Sequence, residues 1–516
     1  MPIINSLRGG INRRLPAYHT DILKRSQCIT MQNLRCNDEI VGPVTGTRKY
    51  HGTSLAGAIT AIMPYYNDQT DQYVLLAASG GSVYKRDEAT NEFTAIKSGL
   101  TPNSIFSAVM RNDEMFIASV SDGLKKYLGG NQLESVGTGS TAPGSFRIII
   151  YMKEIDRLFG ISDDAILGQI SWCNLSQPEI WDAASVERIK LKKGERVEGA
   201  EVLYGKLIIF CTYSIWIYYV SGNEENWKLE EAPTSVGCVA PNTIKKDGNR
   251  MLYLGESPEH ALGIYSFNGS TSELLTDDIT PLLETANKNK LRNACAEIHD
   301  DLYTFSIALG GANANDTSFD LDLTNRKEDG APAIYGPHTF AFYSSVVLNN
   351  RQKTKEWLMG DETDGFIYYE NGNTFKSTNG NDGTIIDQRF LSAIHNDDLL
   401  DVMKQYNDLS VFFEPTSYYP AVVRAYYSYG VYAFNHSLYP AVETESFAGE
   451  FDVHEKRYLA TPQLYEAKVY LNMGDRGTAI QIEIINQSIT NRLKFSGYGY
   501  NFTELYKTER AQIYAN

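Results

Sequence analysis

Clustered carboxylates are the side chains of this 516-residue chain whose types and spacing suit chemistry. A glycosidase needs only two carboxyl groups at a suitable separation, one as the acid and one as the base or nucleophile. Most of these carboxylates lie beside Gly, Ser or Asn, where such groups commonly accept hydrogen bonds from their own turn. We therefore predict turns here, assign no catalytic residue and predict that the chain is not an enzyme. The clusters are Asp163 with Asp164, Asp277 with Asp278, Asp300 with Asp301, Asp361 with Glu362 and Asp364, and Asp397 with Asp398.

Two acid-rich loops and one pair of cysteines contain ligand types that metal ions use. Residues 361–365 and 379–383 offer oxygen atoms for calcium, but neither has the twelve-residue loop with a closing Glu. Cys28 and Cys36 have no second Cys or His pair to complete a zinc site. The sequence therefore predicts no metal site, no cofactor and buried free thiols. The cysteines are Cys28, Cys36, Cys173, Cys211, Cys238 and Cys295.

The remaining catalytic signals are also missing from the sequence. It has no phosphate-binding Gly-x4-Gly-Lys-Ser/Thr loop, no His-Glu-x-x-His pair and no Gly-x-Ser-x-Gly elbow. The histidines do not cluster along the chain, which predicts that they have structural roles. They are His19, His51, His260, His299, His338, His395, His436 and His454.

A hairpin unit that recurs about every 40 to 55 residues supplies the elements that must position these loops. Each copy is a β-rich run, a Gly, Asn or Asp turn and a second run that ends on an aromatic residue, which is typical of a β-hairpin. One hairpin cannot bury its apolar face alone, so the copies must pack against each other. Starts near residues 73, 115, 158, 207, 252, 302 and 357 predict an all-β propeller of six or seven blades.

Changes in pattern divide the chain into three predicted parts. Residues 1–50 predict an extended amino-terminal arm whose basic side chains are either solvated or docked on an acidic neighbouring subunit. Residues 51–375 predict the β-propeller, with a Gly- and Asn-rich surface loop at 310–337. Residues 376–516 alternate between apolar and polar side chains, which predicts a carboxy-terminal β-sandwich. The basic residues of the arm are Arg8, Arg13, Arg14, Lys24 and Arg25.

The charge of the chain bears on its partners. It has 63 acidic and 47 basic residues, a net charge of -16, which argues against gripping nucleic acid through the whole surface. A passive DNA conduit remains compatible, because an acidic wall repels DNA and avoids sticking. We expect neither a signal peptide nor a membrane span, since nowhere do 18 apolar residues run together.

The order of motifs between residues 157 and 279 resembles a succession found in bacteriophage tail propeller proteins. In these motifs Trp and Phe suit packing between blades, and Pro and Gly shape the connections. The leader Gly9–Asn12 and the tail Gly477–Asn486 extend the resemblance to most of the chain. The motifs are Arg157–Phe159, Ser171–Trp181, Lys193–Val197, Leu207–Phe210, Tyr213–Trp216, Gly237–Pro241, Gly263–Gly269 and Asp278–Ile279.

This resemblance implies a structural subunit of a phage tail, of the hub, nozzle or tubular class of short-tailed phages. It also implies a homo-oligomeric ring of six copies, with other tail or connector proteins as neighbours and viral DNA passing through the channel without sequence-specific binding. We therefore expect a protein that is made in the host cytoplasm, resides in the virion tail and forms part of the conduit for genome ejection.

Two other function classes stay open on the residues alone. A host-surface carbohydrate-binding tail protein would use the Tyr-rich stretch as a glycan platform, since Tyr gives broad contact at low entropy cost, although the same stretch also suits a subunit interface. A propeller glycosidase would use one of the carboxylate pairs. The Tyr-rich stretch comprises Tyr418, Tyr419, Tyr426, Tyr427, Tyr429, Tyr432 and Tyr439.

Overall fold

The computed structural model divides the chain into two units, which are described separately. The first unit comprises Met1–Thr47, Ser318–Thr339 and Asn371–Asn516, and the second comprises Arg48–Thr317 and Phe340–Glu370. The structure describes residues 3–4, 7–15, 26–37, 40–137, 143–162, 168–327, 330–349, 355–378, 382–395, 397, 402–413, 421–427, 434–438, 465–470, 476–477, 479–487 and 494–507.

Nearly all regular structure in the described residues is β-strand, as the sequence predicts. The first strands are β1 (Ile3–Ile4), β2 (Thr30–Gln32), β3 (Leu34–Asn37), β4 (Ile40–Pro43) and β5 (Thr47–Lys49). Helical structure is limited to the single turn α1 (Thr280–Leu283) and to short 3-10 segments at Lys153–Ile155, Glu224–Asn226, Pro241–Thr243, Asp277–Ile279 and Leu291–Asn293. Among the described helices none has the length and apolar character to cross a bilayer.

The second unit is a succession of antiparallel sheets, numbered here 1 to 7 in chain order. Sheets 1 to 4 each have four strands that pair in sequence order. Sheet 1 contains β6 (Ile59–Asn67), β7 (Gln72–Ser79), β8 (Ser82–Arg86) and β9 (Phe93–Lys97); sheet 2 contains β10 (Ser107–Arg111), β11 (Glu114–Ser119), β12 (Gly123–Tyr127) and β13 (Glu134–Ser135); sheet 3 contains β14 (Phe146–Met152), β15 (Arg157–Ser162), β16 (Gln169–Asn174) and β17 (Gln177–Arg188); sheet 4 contains β18 (Val197–Leu203), β19 (Lys206–Cys211), β20 (Ile215–Tyr219) and β21 (Lys228–Glu231).

The later sheets of this unit depart from this simple strand order. In sheet 5 the order is β22-β24-β25-β26. The additional strand β23 pairs with the residues of β24 that β22 leaves unpaired. Sheet 7 takes its fourth strand, β5, from the start of the unit. Sheet 5 contains β22 (Gly237–Cys238), β23 (Lys245–Asp247), β24 (Arg250–Ser257), β25 (His260–Phe267) and β26 (Ser272–Leu274); sheet 6 contributes β27 (Cys295–His299) and β28 (Leu302–Ile307); sheet 7 contains β31 (Ser344–Asn349), β32 (Lys355–Gly360) and β33 (Ile367–Glu370) besides β5.

Apolar side chains fill the spaces between successive sheets. Sheets 3 and 4 share a cluster in which Trp172 packs against Trp227, with ring centroids 5.1 Å apart, and against Tyr218, at 6.3 Å. Sheet 7 packs in the same way on sheet 1, through Leu358 and Ile62 among others. Contact between the last sheet and the first closes the succession, so the predicted all-β propeller fold is confirmed. The seven predicted hairpin starts all fall within second strands, namely β7, β11, β15, β19, β24, β28 and β32.

The first unit contains two larger antiparallel sheets besides the two-stranded pair β34-β35. One has the order β3-β4-β43-β37-β40, in which β1 also pairs with β43 and β41 with β37, and the other has the order β2-β36-β42-β38-β39. They touch where Phe390 meets Phe495 and Tyr498, at centroid distances of 5.2 and 5.8 Å. The predicted sandwich stays a prediction beyond this contact. The strands are β34 (Thr374–Phe375), β35 (Thr384–Ile385), β36 (Gln388–Leu391), β37 (Val402–Phe413), β38 (Ala421–Tyr427), β39 (Phe434–Leu438), β40 (Tyr465–Tyr470), β41 (Arg476–Gly477), β42 (Ile480–Asn486) and β43 (Phe495–Lys507).

The surface loop predicted at 310–337 is wrong for most of its length. It forms β29 (Thr317–Arg326) and β30 (Pro332–His338), an antiparallel hairpin. The sequence misleads because Asp320, which suggests a turn, is fully buried between Arg35 and His338, whose Nε2 lies 2.8 Å from its carboxylate. A paired carboxylate can occupy a strand interior that a lone one cannot.

The amino-terminal residues, predicted as an extended arm, contain β1 to β5. Ile11 donates its backbone N–H to Ile334 O at 2.8 Å, so this segment lies alongside β30. Gly10 has φ +71°, and a Cβ there would lie 2.3 Å from Ile334 O. Gly10 of the leader is therefore required by the close approach of the Ile334 backbone and by its positive φ.

We expect Trp172→Ala to lower the free energy of unfolding by about 3–5 kcal/mol, because it empties the centre of the cluster between sheets 3 and 4. Urea denaturation followed by intrinsic fluorescence and circular dichroism measures the change. Leu175→Ala, at a side chain that is 59% exposed three residues away, is the control and should stay within about 0.5 kcal/mol. Equal losses in both variants would contradict the packing described.

Candidate functional site

Several first strands of the sheets, β6, β10, β27 and β31, line a half-open cavity of about 430 Å³ inside the second unit. Neighbouring first strands contact each other in series, β6 with β10, β10 with β14 and β14 with β18, and again β27 with β31 and β31 with β6. Most of the residues that line the cavity are apolar, Met63, Phe106 and Met110 among them. Its polar groups include Asn242, Lys245, Ser344 and Ser345.

Lys245 is the cation of this cavity, and it is paired. Its Nζ lies 2.9 Å from Glu297 Oε2. Burial alone would lower the pKa of Lys245, but the charge of Glu297 and the hydrogen bond to it outweigh burial, so the pKa is raised. A protonated, neutralised lysine is poorly suited to act as a nucleophile or base at neutral pH. Lys245 and Glu297 therefore form a structural ion pair in this cavity.

A second polar cluster is built around the buried carboxylate of Glu198 in β18. Arg147 of β14 donates Nη2–H at 2.9 Å, and Arg196 donates Nε–H to the other oxygen. Arg292, which precedes β27, places Nε 3.2 Å from Glu198 Oε2. Arg292 Nε is itself buried and makes no hydrogen bond in the described structure.

This arrangement places three positive charges around one buried carboxylate. Three guanidinium groups share one carboxylate, and a guanidinium stays protonated at every physiological pH. Two of the three remain partly accessible, Arg196 with 40% and Arg292 with 31% of its side chain exposed. Residues 190–196 and 288–292 add further cations beside them, among them the exposed Lys190 and Lys193, for which the described structure shows no partner. We call Lys190, Lys192, Lys193, Arg196, Lys288, Lys290 and Arg292 the cation cluster.

The opposite ends of the strands are acidic. Turns between first and second strands and between third and fourth strands lie at one edge of an antiparallel sheet, named here the turn edge. Neighbouring turns are joined across sheets: Asp68 N donates to Asp113 Oδ1 at 2.9 Å, and Arg111 donates to Asp156. In the described turns of the second unit the exposed cation is Lys153, and the exposed acids are Asp68, Asp71, Asp87, Glu88, Glu154, Glu224, Glu225, Asp300 and Asp301.

The turn edge also exposes apolar side chains. Leu175 lies in the turn between β16 and β17 and is 59% exposed, and Tyr204 in the turn between β18 and β19 is 57% exposed. Leu128 and Tyr66 lie at the same edge in sheets 2 and 1. Single exposed apolar residues are normal, but four at one acidic edge are compatible with contact to another protein.

The carboxylates singled out from the sequence do not converge in the described residues. Asp361 accepts from the backbone N–H groups of Thr363 at 2.7 Å and Asp364 at 3.0 Å, which confirms the predicted turn chemistry. Asp300 and Asp301 have φ of 45° and 63° and form the tight turn between β27 and β28.

The remaining carboxylate clusters differ in how much the structure describes. Asp277 and Asp278 begin a 3-10 segment, and Asp397 accepts from Tyr500 Oη at 2.7 Å. Asp163, Asp164 and Asp398 lie outside the described residues, as does most of the loop 379–383. Among the described residues no group of three His, Cys, Asp or Glu side chains is arranged to hold a metal ion.

Cysteines and histidines occupy structural positions. All six cysteines are buried and free, as the sequence predicts. His51 Nε2 accepts from Ile367 N at 3.0 Å, and His299 stacks on Trp357 at 3.9 Å. His260 contacts Ser235 Oγ at 2.7 Å. His19, His436 and His454 are not described at the level of their side chains.

The Tyr-rich stretch falls largely outside the described residues, so its predicted role as a contact platform stays a prediction. Tyr426 is described, and its hydroxyl donates to Glu483 Oε2 at 2.6 Å. Glu483 also pairs with Arg389 and Arg424. This tyrosine is therefore used inside the first unit.

Sequence reasoning missed both the Glu198 cluster and the acidic character of the turn edge. Glu198 and Arg196 are separated by one residue, and Arg147 and Arg292 are distant in sequence. The turn edge had a weak signal, since its acids lie in the turns of the repeated unit. Only the order of strands shows that these turns share one edge.

Comparisons with known proteins show no family for this chain. No family model matches the chain, and no curated protein matches it. The extracellular domain of a hybrid two-component system from B. thetaiotaomicron matches at 11% identity with a TM-score of 0.33, covering 67% of this chain and 39% of that chain. The structure of YCF48 bound to D1 peptide matches at 12% identity with a TM-score of 0.40, covering 66% of this chain and 99% of that chain.

We expect Glu198→Gln to destabilise the protein by about 3–5 kcal/mol, because removing one partner of a buried ion pair leaves its guanidinium groups uncompensated. Urea denaturation measures the loss. Glu225→Gln, at an exposed glutamate of the turn edge, is the matched control and should change stability by less than about 0.5 kcal/mol. An unchanged midpoint in Glu198→Gln would contradict the cluster.

His395 should make stability fall in acid. Burial lowers the pKa of His395 from its usual value of 6.5 to about 4, and its Nε2 lies 2.7 Å from Tyr498 Oη. The unfolded chain therefore takes up this proton below about pH 6.5 while the folded chain resists it, and about 3 kcal/mol is lost by pH 4. Chemical denaturation at pH 7 and pH 5 should show a smaller difference in His395→Gln than in the parent. An identical pH dependence would contradict the shift.

Proposed function

We propose that this protein is a structural subunit of a bacteriophage tail, in a hub, nozzle or tubular ring that forms part of the conduit for genome ejection. The observation that carries the proposal is the order of motifs from Arg157 to Ile279, which resembles that of tail propeller proteins. In the structure these motifs form sheets 3, 4 and 5, and Trp172 and Phe210 are buried between them.

The arrangement supports a mechanical role. Packed sheets with interdigitated aromatic side chains make a rigid body, and rigid bodies with different contact edges can assemble into closed rings. Six copies around a DNA channel, with tail or connector proteins above and below, is the form that the resemblance favours. The net charge of -16 suits a wall along which DNA moves without sticking.

Native mass spectrometry with negative-stain microscopy of the purified protein tests this proposal. We expect a closed ring near six copies, and no retention of duplex DNA in an electrophoretic mobility assay at physiological salt, because the net charge of -16 opposes phosphate binding. A monomer that binds a glycan array would contradict the proposal and favour the carbohydrate-binding alternative. Turnover of a glycan that one carboxylate substitution abolishes would favour the glycosidase.

A further inference from the structure

The cavity inside the second unit has an apolar part and a polar part. Sheets 1 and 2, with the segment between them, contribute the apolar part through Met63, Phe106, Met110 and Met115. Methionine side chains are unbranched and flexible, so they adapt to the outline of what they contact. The volume of about 430 Å³ falls within the range of about 300–1,000 Å³ that small-molecule sites have.

Asn242 and Lys245 supply hydrogen-bonding groups that the protein itself does not use. Glu297 Oε2, at 2.9 Å, takes one of the three N–H donors of Lys245 Nζ, and the other two have no acceptor among the described residues. The carboxamide of Asn242 makes no hydrogen bond in that same part of the chain. Lys245 keeps 26% of its side chain exposed, so these donors can be reached from the cavity.

The hydroxyl groups of the cavity are already occupied. Thr60, Ser344 and Ser345 each donate to a backbone carbonyl, at 3.3, 2.7 and 3.3 Å. Of the described side chains with oxygen or nitrogen atoms that line the cavity, Asn242 and Lys245 therefore have capacity to spare. They are three residues apart in the sequence, which gives the cavity one place for the polar group of a ligand.

The ion pair of Lys245 with Glu297 decides the charge of such a ligand. A carboxylate brought to Lys245 Nζ would also approach the carboxylate of Glu297, and it would exchange its water shell for thioether and aromatic groups. An ammonium group would face the remaining donors of Lys245, which offers no acceptor. An uncharged head that accepts from Lys245 and donates to Asn242 Oδ1 satisfies both residues without either cost.

We propose that this cavity binds a small uncharged amphipathic molecule, with an amide or hydroxyl head on Asn242 and Lys245 and an apolar body against the methionines of sheets 1 and 2. A primary amide fits both partners, because its carbonyl accepts from Nζ while its N–H group donates to Asn242 Oδ1. The site lies wholly within the second unit and does not depend on the proposed ring.

Three probes with the same number of carbon atoms test the choice of head group. We expect hexanamide to bind the full-length protein at pH 7, and hexanoate and hexylamine to bind about 10-fold more weakly or less, because a charged head is desolvated without an opposite charge to meet. Saturation-transfer difference NMR titrations measure the three Kd values. Equal binding of all three would show apolar partition alone, and tighter binding of hexanoate would show an anion site; either result would overturn the proposal.

Filling the cavity tests where the probe binds. Ala108 of β10 lines the cavity with an exposed side chain, so Ala108→Phe occupies ligand space without crowding the core. We expect it to raise the Kd of hexanamide by about 10-fold or more, since the apolar body loses its place. Ala95→Phe, the same change at an exposed alanine of β9, is the control and should leave the Kd unchanged. An unaltered Kd in a folded Ala108→Phe, with folding checked by circular dichroism, would overturn the site.

A second variant tests the polar contact without changing the size of the cavity. Asn242→Leu keeps the branched shape of the side chain and removes its hydrogen bonds, so the Kd of hexanamide should rise by about 3- to 10-fold. Asn226→Leu, at an exposed asparagine outside the cavity, is the matched control. Equal affinities in Asn242→Leu and the parent would remove the assigned head contact.

Methyl NMR spectra of protein labelled at methionine locate the probe directly. Hexanamide should shift the methyl signals of Met63, Met110 and Met115 and leave that of Met251, which is buried in the core of sheets 4 and 5, in place. Shifts confined to methionines outside the cavity would overturn the proposal. A ring that assembles while hexanamide at millimolar concentration shifts no methionine would also overturn this site and would leave the proposed function standing.

Discussion

The packing of one sheet's apolar face on the next is the interaction on which the second unit depends. No hairpin of the repeat can bury both of its faces alone, so each sheet is stable only between two neighbours. The contact of Leu358 in sheet 7 with the cluster that contains Ile62 in sheet 1 removes the last exposed face. This packing includes Trp172 of sheet 3, whose ring contacts Tyr218 of sheet 4 and Trp227, the residue before β21.

Much of this fold can be predicted because its signals are local. An apolar run, a turn of Gly or Asn and a second apolar run specify a hairpin within about twenty residues, and the same signal recurs at each second strand. The buried state of Cys173 and Cys211 follows from the apolar strands around them. The hairpin at 317–338 was not predicted, because the burial of Asp320 within it depends on Arg35, almost three hundred residues away in the sequence. Local composition describes Asp320 as a turn former, and only a distant partner makes it a strand residue.

The same distinction between contacts that are local in sequence and contacts that are distant applies to the candidate site. The turn chemistry of Asp361 is predictable because donor and acceptor are two or three residues apart. The meeting of Arg147, Arg196 and Arg292 on Glu198 is not, since it depends on which first strands become neighbours. Electrostatic character at an edge is likewise a product of strand order, because turns widely spaced in sequence are collected there by the repeat.

The first unit is assembled from three separate stretches of chain, so the backbone passes between the two units at four places. A single cut anywhere within residues 48–317 would therefore place Arg35 and Asp320 on different fragments, and separation of the fragments would leave a buried carboxylate without its cation. Neither unit is one continuous segment of chain that could be transferred to another protein. Exchange between related proteins would have to replace three segments together, which ties the evolution of the amino terminus to that of the carboxy terminus.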